Sequence, residues 1–196
     1  MFETKSLSQA TWPDFESLFE RHNGLHGGCW CVYHRMTMSE FIQSTKAGRK
    51  AMHRDLVFAG KASGLLLYDG GNPIGWCQYG RAPEFYAFDR MRDYVKLQIP
   101  EAFRPSWRIT CFVVDKERRR EGLSKLLLKE TLLAIRAAGG GIVEAFPLLV
   151  PGVEKPQYTG SIKMYEEHGF AYVAPIGKYN HLMRLDGKQE VGDGPS

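Results

Sequence analysis

The chain has 196 residues, 43% hydrophobic and 24% charged, with a formal net charge of +4. This composition excludes a disordered chain and suits one domain with a substantial core. No apolar run approaches the ~20 residues that cross a bilayer. The opening Met-Phe-Glu-Thr-Lys lacks the basic-then-apolar pattern of a secretory signal, so a cytoplasmic protein with no membrane partner is expected.

In chain order, Thr11 reads as a helix cap paired with Asp14. Phe15, Leu18 and Phe19 share one face, and Asn23-Gly24 stops the helix. A Gly- and Cys-rich loop, His26 to His34, leads into a second helical stretch, with Met52, Leu56 and Ala59 inward and Gly60 as its stop. Leu65–Tyr68 and Ile74–Cys77 flank Asp69-Gly70-Gly71-Asn72 and predict a hairpin. Residues 83–104 mix aromatic and charged side chains without a period, which suits a short helix and a loop.

Residues 107–114 read as a strand, 123–138 as a helix apolar over most of its circumference, and 142–146 as a strand. That order makes a βαβ unit with parallel strands inside a mixed α/β sheet. A short helix from Ser161 to His168 ends at Gly169, and 170–173 with 181–185 form a last strand pair. Residues 1–187 are expected to form one domain, and Lys188 to Ser196, without core-forming residues, a mobile tail.

The segment Val114-Asp115-Lys116-Glu117-Arg118-Arg119-Arg120-Glu121-Gly122-Leu123-Ser124 joins a strand to a helix. Unpaired amides and the positive helix end favour a phosphate there, and Gly122 lets the backbone approach it. Arg119 and Arg120 add charge. The alternative is a basic turn before an ordinary helix. An arginine triplet is too short to predict a nucleic-acid surface, and no nucleic-acid partner is expected.

Arg119-x-x-Gly122-x-Ser124, after a strand ending in Val114, resembles the acetyl-CoA motif of the GNAT superfamily of N-acetyltransferases. Tyr165-Glu166-Glu167-His168-Gly169-Phe170 resembles that family's Tyr-x-x-x-Gly-Phe. The sequence departs from the pattern at Ser124, at Lys116 and at Tyr158, where the family often has Asn. The resemblance implies a mixed, mostly antiparallel central sheet flanked by helices, with one parallel βαβ unit opening a V-shaped cleft.

It also implies acetyl transfer from acetyl-CoA to an amine of a small molecule or a protein; the alternative is a non-catalytic acyl-CoA-binding sensor or scaffold. Phe112, Val113 and Val114 would pair with the pantetheine arm, and Arg119, Arg120, Glu121, Gly122, Leu123 and Ser124 would hold the pyrophosphate. A homodimer is common in the family and is carried as an expectation.

Tyr165 becomes the general-acid candidate, with a core aromatic as the competing reading. Glu144, an acid within Ile142-Val143-Glu144-Ala145-Phe146, is the candidate base if it faces the cleft; water is the alternative, and strand alternation could instead turn Glu144 outward. Trp30 and Trp76 are expected to wall the acceptor pocket, with a core tryptophan as the competing reading. The spacing Cys29-x-Cys31 between His26 and His34 does not match a zinc knuckle, and no metal is expected.

Overall fold

The computed structural model describes residues 1–25, 27–153 and 158–186. The expected tail from Lys188 and the residue His26 lie outside them. Seven strands form one sheet in the order β1-β2-β3-β4-β5-β7-β6. They are β1 (Phe2–Ser6), β2 (Gly64–Asp69), β3 (Asn72–Arg81), β4 (Trp107–Val114), β5 (Val143–Ala145), β6 (Ala171–Ile176) and β7 (Asn180–Leu185). The helices are α1 (Trp12–Glu20), α2 (Met38–Gln43), α3 (Lys46–Phe58), α4 (Arg92–Val95), α5 (Leu123–Ala137) and α6 (Ile162–Glu166). Every neighbouring pair is antiparallel except β4 with β5. The mixed, mostly antiparallel α/β architecture is therefore the one expected. Among the described residues no helix is long and apolar enough to cross a membrane.

The β2–β3 hairpin closes with Asp69 paired to Asn72, and Gly70 and Gly71 both at positive φ, as a tight turn matched to strand twist requires. One face of the sheet buries Leu65, Leu67, Cys77, Ile109 and Ala145 against the leucines of α5 and against Met164 and Tyr165 of α6. Alternation sends Leu66, Tyr68, Trp76 and Val113 to the other face, against Phe15, Leu18 and Phe19 of α1. A Cβ at Gly64 would fall 1.8 Å from the Trp76 ring, so only glycine lets that indole lie flat on β2. A third cluster, with Phe85, Phe88, Tyr94 and Phe146, lies around the segment between β3 and β4.

The structure changes three local expectations. The Thr11 hydroxyl does not cap α1; it donates to Ser6 O at 2.9 Å, while Asp14 accepts from the Tyr68 hydroxyl at 2.9 Å. The second helical stretch divides into α2 and α3, with Thr37 capping the first and Thr45 the second. The buried residues of α3 are Arg49, His53 and Val57; Leu56 packs half-buried against the α1 cluster as expected, and Ala59 is exposed. Arg49 is buried because its guanidinium donates to carbonyls of Gly27, Gly28, Phe41 and Ser44, which ties the Gly/Cys loop to α2. β1, which its Phe-Glu-Thr-Lys-Ser sequence did not announce, pairs with β2 at the sheet edge.

Candidate functional site

β4 and β5 pair only from Trp107↔Val143 to Ile109↔Ala145. Beyond Ile109, β4 continues to Val114 without β5 beside it, so the sheet opens into a V. At this point the register of β3 on β4 shifts between Gln78 and Tyr79. The Thr110 hydroxyl donates to Gln78 Oε1 at 2.8 Å, and Gln78 Nε2 donates to Cys31 O at 2.6 Å. This buried polar chain fixes the bend of β4 and ties it to the Cys29–Cys31 loop.

Backbone alternation limits which β4 residues face the opening. Trp76 pairs with Val113, and Asp115 N donates to Ile74 O, so Val113 and Asp115 direct their backbone groups to β3. Phe112 and Val114 direct theirs to the free edge. Of the three residues expected to bind a ligand by backbone, Val113 is therefore not available in this way. Phe112 N–H donates to Tyr158 O at 2.6 Å.

The loop after β4 is held by its acids. Asp115 accepts from Glu117 N and from Arg21 Nε at 3.2 Å. Arg118 forks onto both oxygens of Glu121 and also reaches Asp69. Arg119 and Arg120 are exposed and make no ion pair among the described residues. Arg120 and Gly122 have φ of 72° and 76°, and Gly122 occupies the cap position of α5 with no side-chain cap. Alternating backbone handedness of this kind turns successive amides to one side, where they can bind an anion. A Cβ added at Gly122 would meet nothing within 4 Å, so the approach to these amides is open. Leu123 is buried and anchors the helix start, and Ser124 is half-buried. The Glu121 carboxylate is spent on Arg118, which leaves its backbone for a ligand.

Tyr165 is fully buried, and its hydroxyl donates to Thr159 O at 3.1 Å. Burial, with the nearby Cys77 and Cys111 thiols adding to it, pushes its pKa well above the ordinary value, so the phenol carries its proton at neutral pH. Its ring lies across from Phe112 and Phe170, on the α5 side of the opening.

Glu144 is neither a cleft-facing base nor an outward surface acid. It is fully buried, accepts from Tyr94 Oη at 2.8 and 3.0 Å, and pairs with Arg184 at 3.0 Å and Arg108 at 3.4 Å. Arg108 in turn donates to Asp89 and to the carbonyls of Ala82 and Phe85. The group knits β4, β5 and β7 to the segment between β3 and β4. Sequence alternation left open the face on which Glu144 lies and did not reveal the two arginines that meet it there.

Trp76 is fully buried between Phe15 and Gly64, so it is a core residue and not the pocket-lining side chain that was expected. Trp30 stacks on Phe19 at 5.6 Å and carries Lys50 over its ring. It lines an open depression of about 260 Å³ beside Glu20, Asn23 and Lys46. Within the Cys/His loop, His34 stacks on Phe88 at 4.2 Å. All four cysteines are free, and among the described residues no three His, Cys, Asp or Glu side chains are grouped to hold a metal.

The sequence matches the Acetyltransferase (GNAT) family over residues 30–170. The chain belongs to that family, whose members are acyltransferases using acetyl-CoA. Its fold is similar to a putative acetyltransferase from Salmonella typhimurium solved with acetyl-CoA, at 13% identity and TM-score 0.54, covering 100% of this chain and 99% of that one. It is also similar to the ribosomal-protein-S18-alanine N-acetyltransferase of Escherichia coli, at 12% identity and TM-score 0.54 over 100% of both chains. An N-acetyltransferase from Staphylococcus aureus Mu50 matches at 14% identity and TM-score 0.54, over 96% of this chain and 99% of that one. No curated protein matches the sequence.

Proposed function

We propose that the protein transfers an acetyl group from acetyl-CoA to an amine of a small molecule or a protein. The observation that carries this reading is the edge of β4 left unpaired by β5, followed through one basic loop by a helix start with left-handed Gly122 and no side-chain cap. Amides of Gly122, Leu123 and Ser124, with the Arg119 and Arg120 guanidinia, bind the pyrophosphate. Phe112 and Val114 hold the pantetheine arm as a neighbouring strand would.

The Phe112 N–H stabilises negative charge developing on the thioester oxygen as the amine attacks. Holding both reactants in one cleft supplies much of the rate. Tyr165 donates the proton to the departing sulfur. Water removes the proton from the ammonium, while Glu144 fixes Arg108 and Tyr94 below the opening. The side chain of Trp30 shapes the wall on the acceptor side.

Acetyl-CoA is expected to raise the melting temperature, because a ligand that binds only the native state stabilises it by mass action. Gly122→Val places a β-branched residue at φ 76°, where such residues are strained, and covers the amides. The dissociation constant for acetyl-CoA should rise about tenfold or more. An unchanged constant, read by calorimetric titration, would put the phosphate site elsewhere.

Tyr165→Phe should lower kcat about tenfold without weakening acetyl-CoA binding. Equal kcat in the two proteins would reduce Tyr165 to packing. Tight acetyl-CoA binding without thiol release across a broad amine panel would instead favour an acyl-CoA sensor.

A further inference from the structure

Two adjacent carbonyls occupy the two donors that acetyl transfer would use. Tyr158 O accepts from Phe112 N–H at 2.6 Å, and Thr159 O accepts from the Tyr165 hydroxyl at 3.1 Å. The first donor is the β4 amide assigned above to the thioester oxygen. The second is the phenol assigned to the sulfur. Each carbonyl thus lies where part of the thioester group would have to lie.

The segment is built into this position. The Thr159 hydroxyl accepts from Leu148 N at 3.0 Å. Tyr158 packs against the aromatic cluster that contains Trp30, Trp76 and Val113, alongside Cys29 and Cys111. Gly160, at φ 75°, passes so near α6 that a Cβ would come 2.5 Å from Met164 Cε and 3.0 Å from the Tyr165 ring. The cost is local: Tyr158 has φ 57°, a left-handed conformation unfavourable for a non-glycine residue without a short polar side chain.

We infer that Tyr158–Thr159 is a self-occluding segment of the thioester site, and that this conformation and the acetyl-CoA-bound one exclude each other. The inference rests on the acetyl-CoA reading given under Proposed function. Binding must break the Phe112–Tyr158 and Tyr165–Thr159 hydrogen bonds together, so the apparent affinity is reduced by the fraction of molecules in which the segment has moved. The same movement releases the Tyr165 hydroxyl, so the proton donor becomes free when the cofactor arrives.

Two measurements on the full chain test it. Proline cannot adopt φ 57°, so Tyr158→Pro disfavours the occluding conformation and should bind acetyl-CoA about tenfold more tightly than the unaltered protein. Equal or weaker binding by a Tyr158→Pro protein that keeps its cooperative melting overturns the inference. In stopped-flow mixing of the unaltered protein with acetyl-CoA, the observed rate should reach a plateau set by departure of the segment. A rate that rises linearly to the highest accessible concentration also overturns it, whatever the fate of the variant. Binding with neither signature removes the occlusion and leaves the acetyl-CoA reading standing; no binding of acetyl-CoA by either protein removes both.

Discussion

Acidification from pH 7 to pH 4.5 is expected to cost about 2–3 kcal/mol of stability through His53 alone. Its ring is fully buried, edge-on to Phe15 at 4.9 Å and Trp12 at 5.8 Å, and neither ring nitrogen makes a well-formed hydrogen bond among the described residues. Burial, with the nearby Arg35 guanidinium acting in the same direction, pushes its pKa down to about 3.

The unfolded chain therefore takes up a proton near the ordinary histidine value of 6.5, while the folded chain resists until about 3. Stability is fully present above about pH 6.5 and is lost as pH falls through this window. His34, stacked on Phe88 and also held at about 3, by burial and then by Arg108, adds to the loss. Surface carboxylates held low by their partners, such as Asp69 by Arg118, act only at lower pH. Urea unfolding at pH 7.0 and 4.5 measures the slope. His53→Leu should flatten it, and an equally steep slope in that variant would exclude His53 as its source.

Glu144→Gln is expected to destabilise the protein by about 3–5 kcal/mol, because it leaves Arg108 buried and Arg184 largely buried without their shared carboxylate. For a chain of this length that corresponds to a fall of about 10 °C in melting temperature. A general base would behave differently, with kcat dropping at an unchanged melting temperature. Measuring both separates the two roles. A variant that melts within a degree or two of the original and has lost turnover would restore Glu144 as the base.

The site was legible in sequence to the extent that it depends on backbone freedom. Gly122 takes a positive φ that glycine adopts without strain, and Arg119 and Arg120 lie beside it in the chain, so spacing alone brings together the parts of the proposed phosphate site. Tyr165 was legible for a similar reason, since α6 and Gly169 form a compact local motif. Contacts between distant side chains were not. A lone acid in an apolar strand does not reveal whether water, an amine or two arginines will meet it, and for Glu144 it was arginines. Hydrophobic periodicity found Leu56 on the inward face of α3 but not Arg49 and His53, one held by carbonyls and the other by aromatic rings. β1 was missed because an edge strand with mostly exposed residues needs no alternating pattern. The Tyr158–Phe112 bond joins two backbone groups, which side-chain identity does not encode.

The parallel ladder between β4 and β5 spans three residue pairs, whereas β3 and β4 are paired along nearly their whole length. Such a short seam divides the sheet mechanically into an amino-terminal leaf, β1 to β4, and a carboxy-terminal leaf, β5 to β7. Free energies of local opening follow the density of cross-strand bonds. Amide exchange should therefore protect the first leaf as one block and release the second earlier. A ligand that bridges the leaves would act as a rivet and draw their protection together.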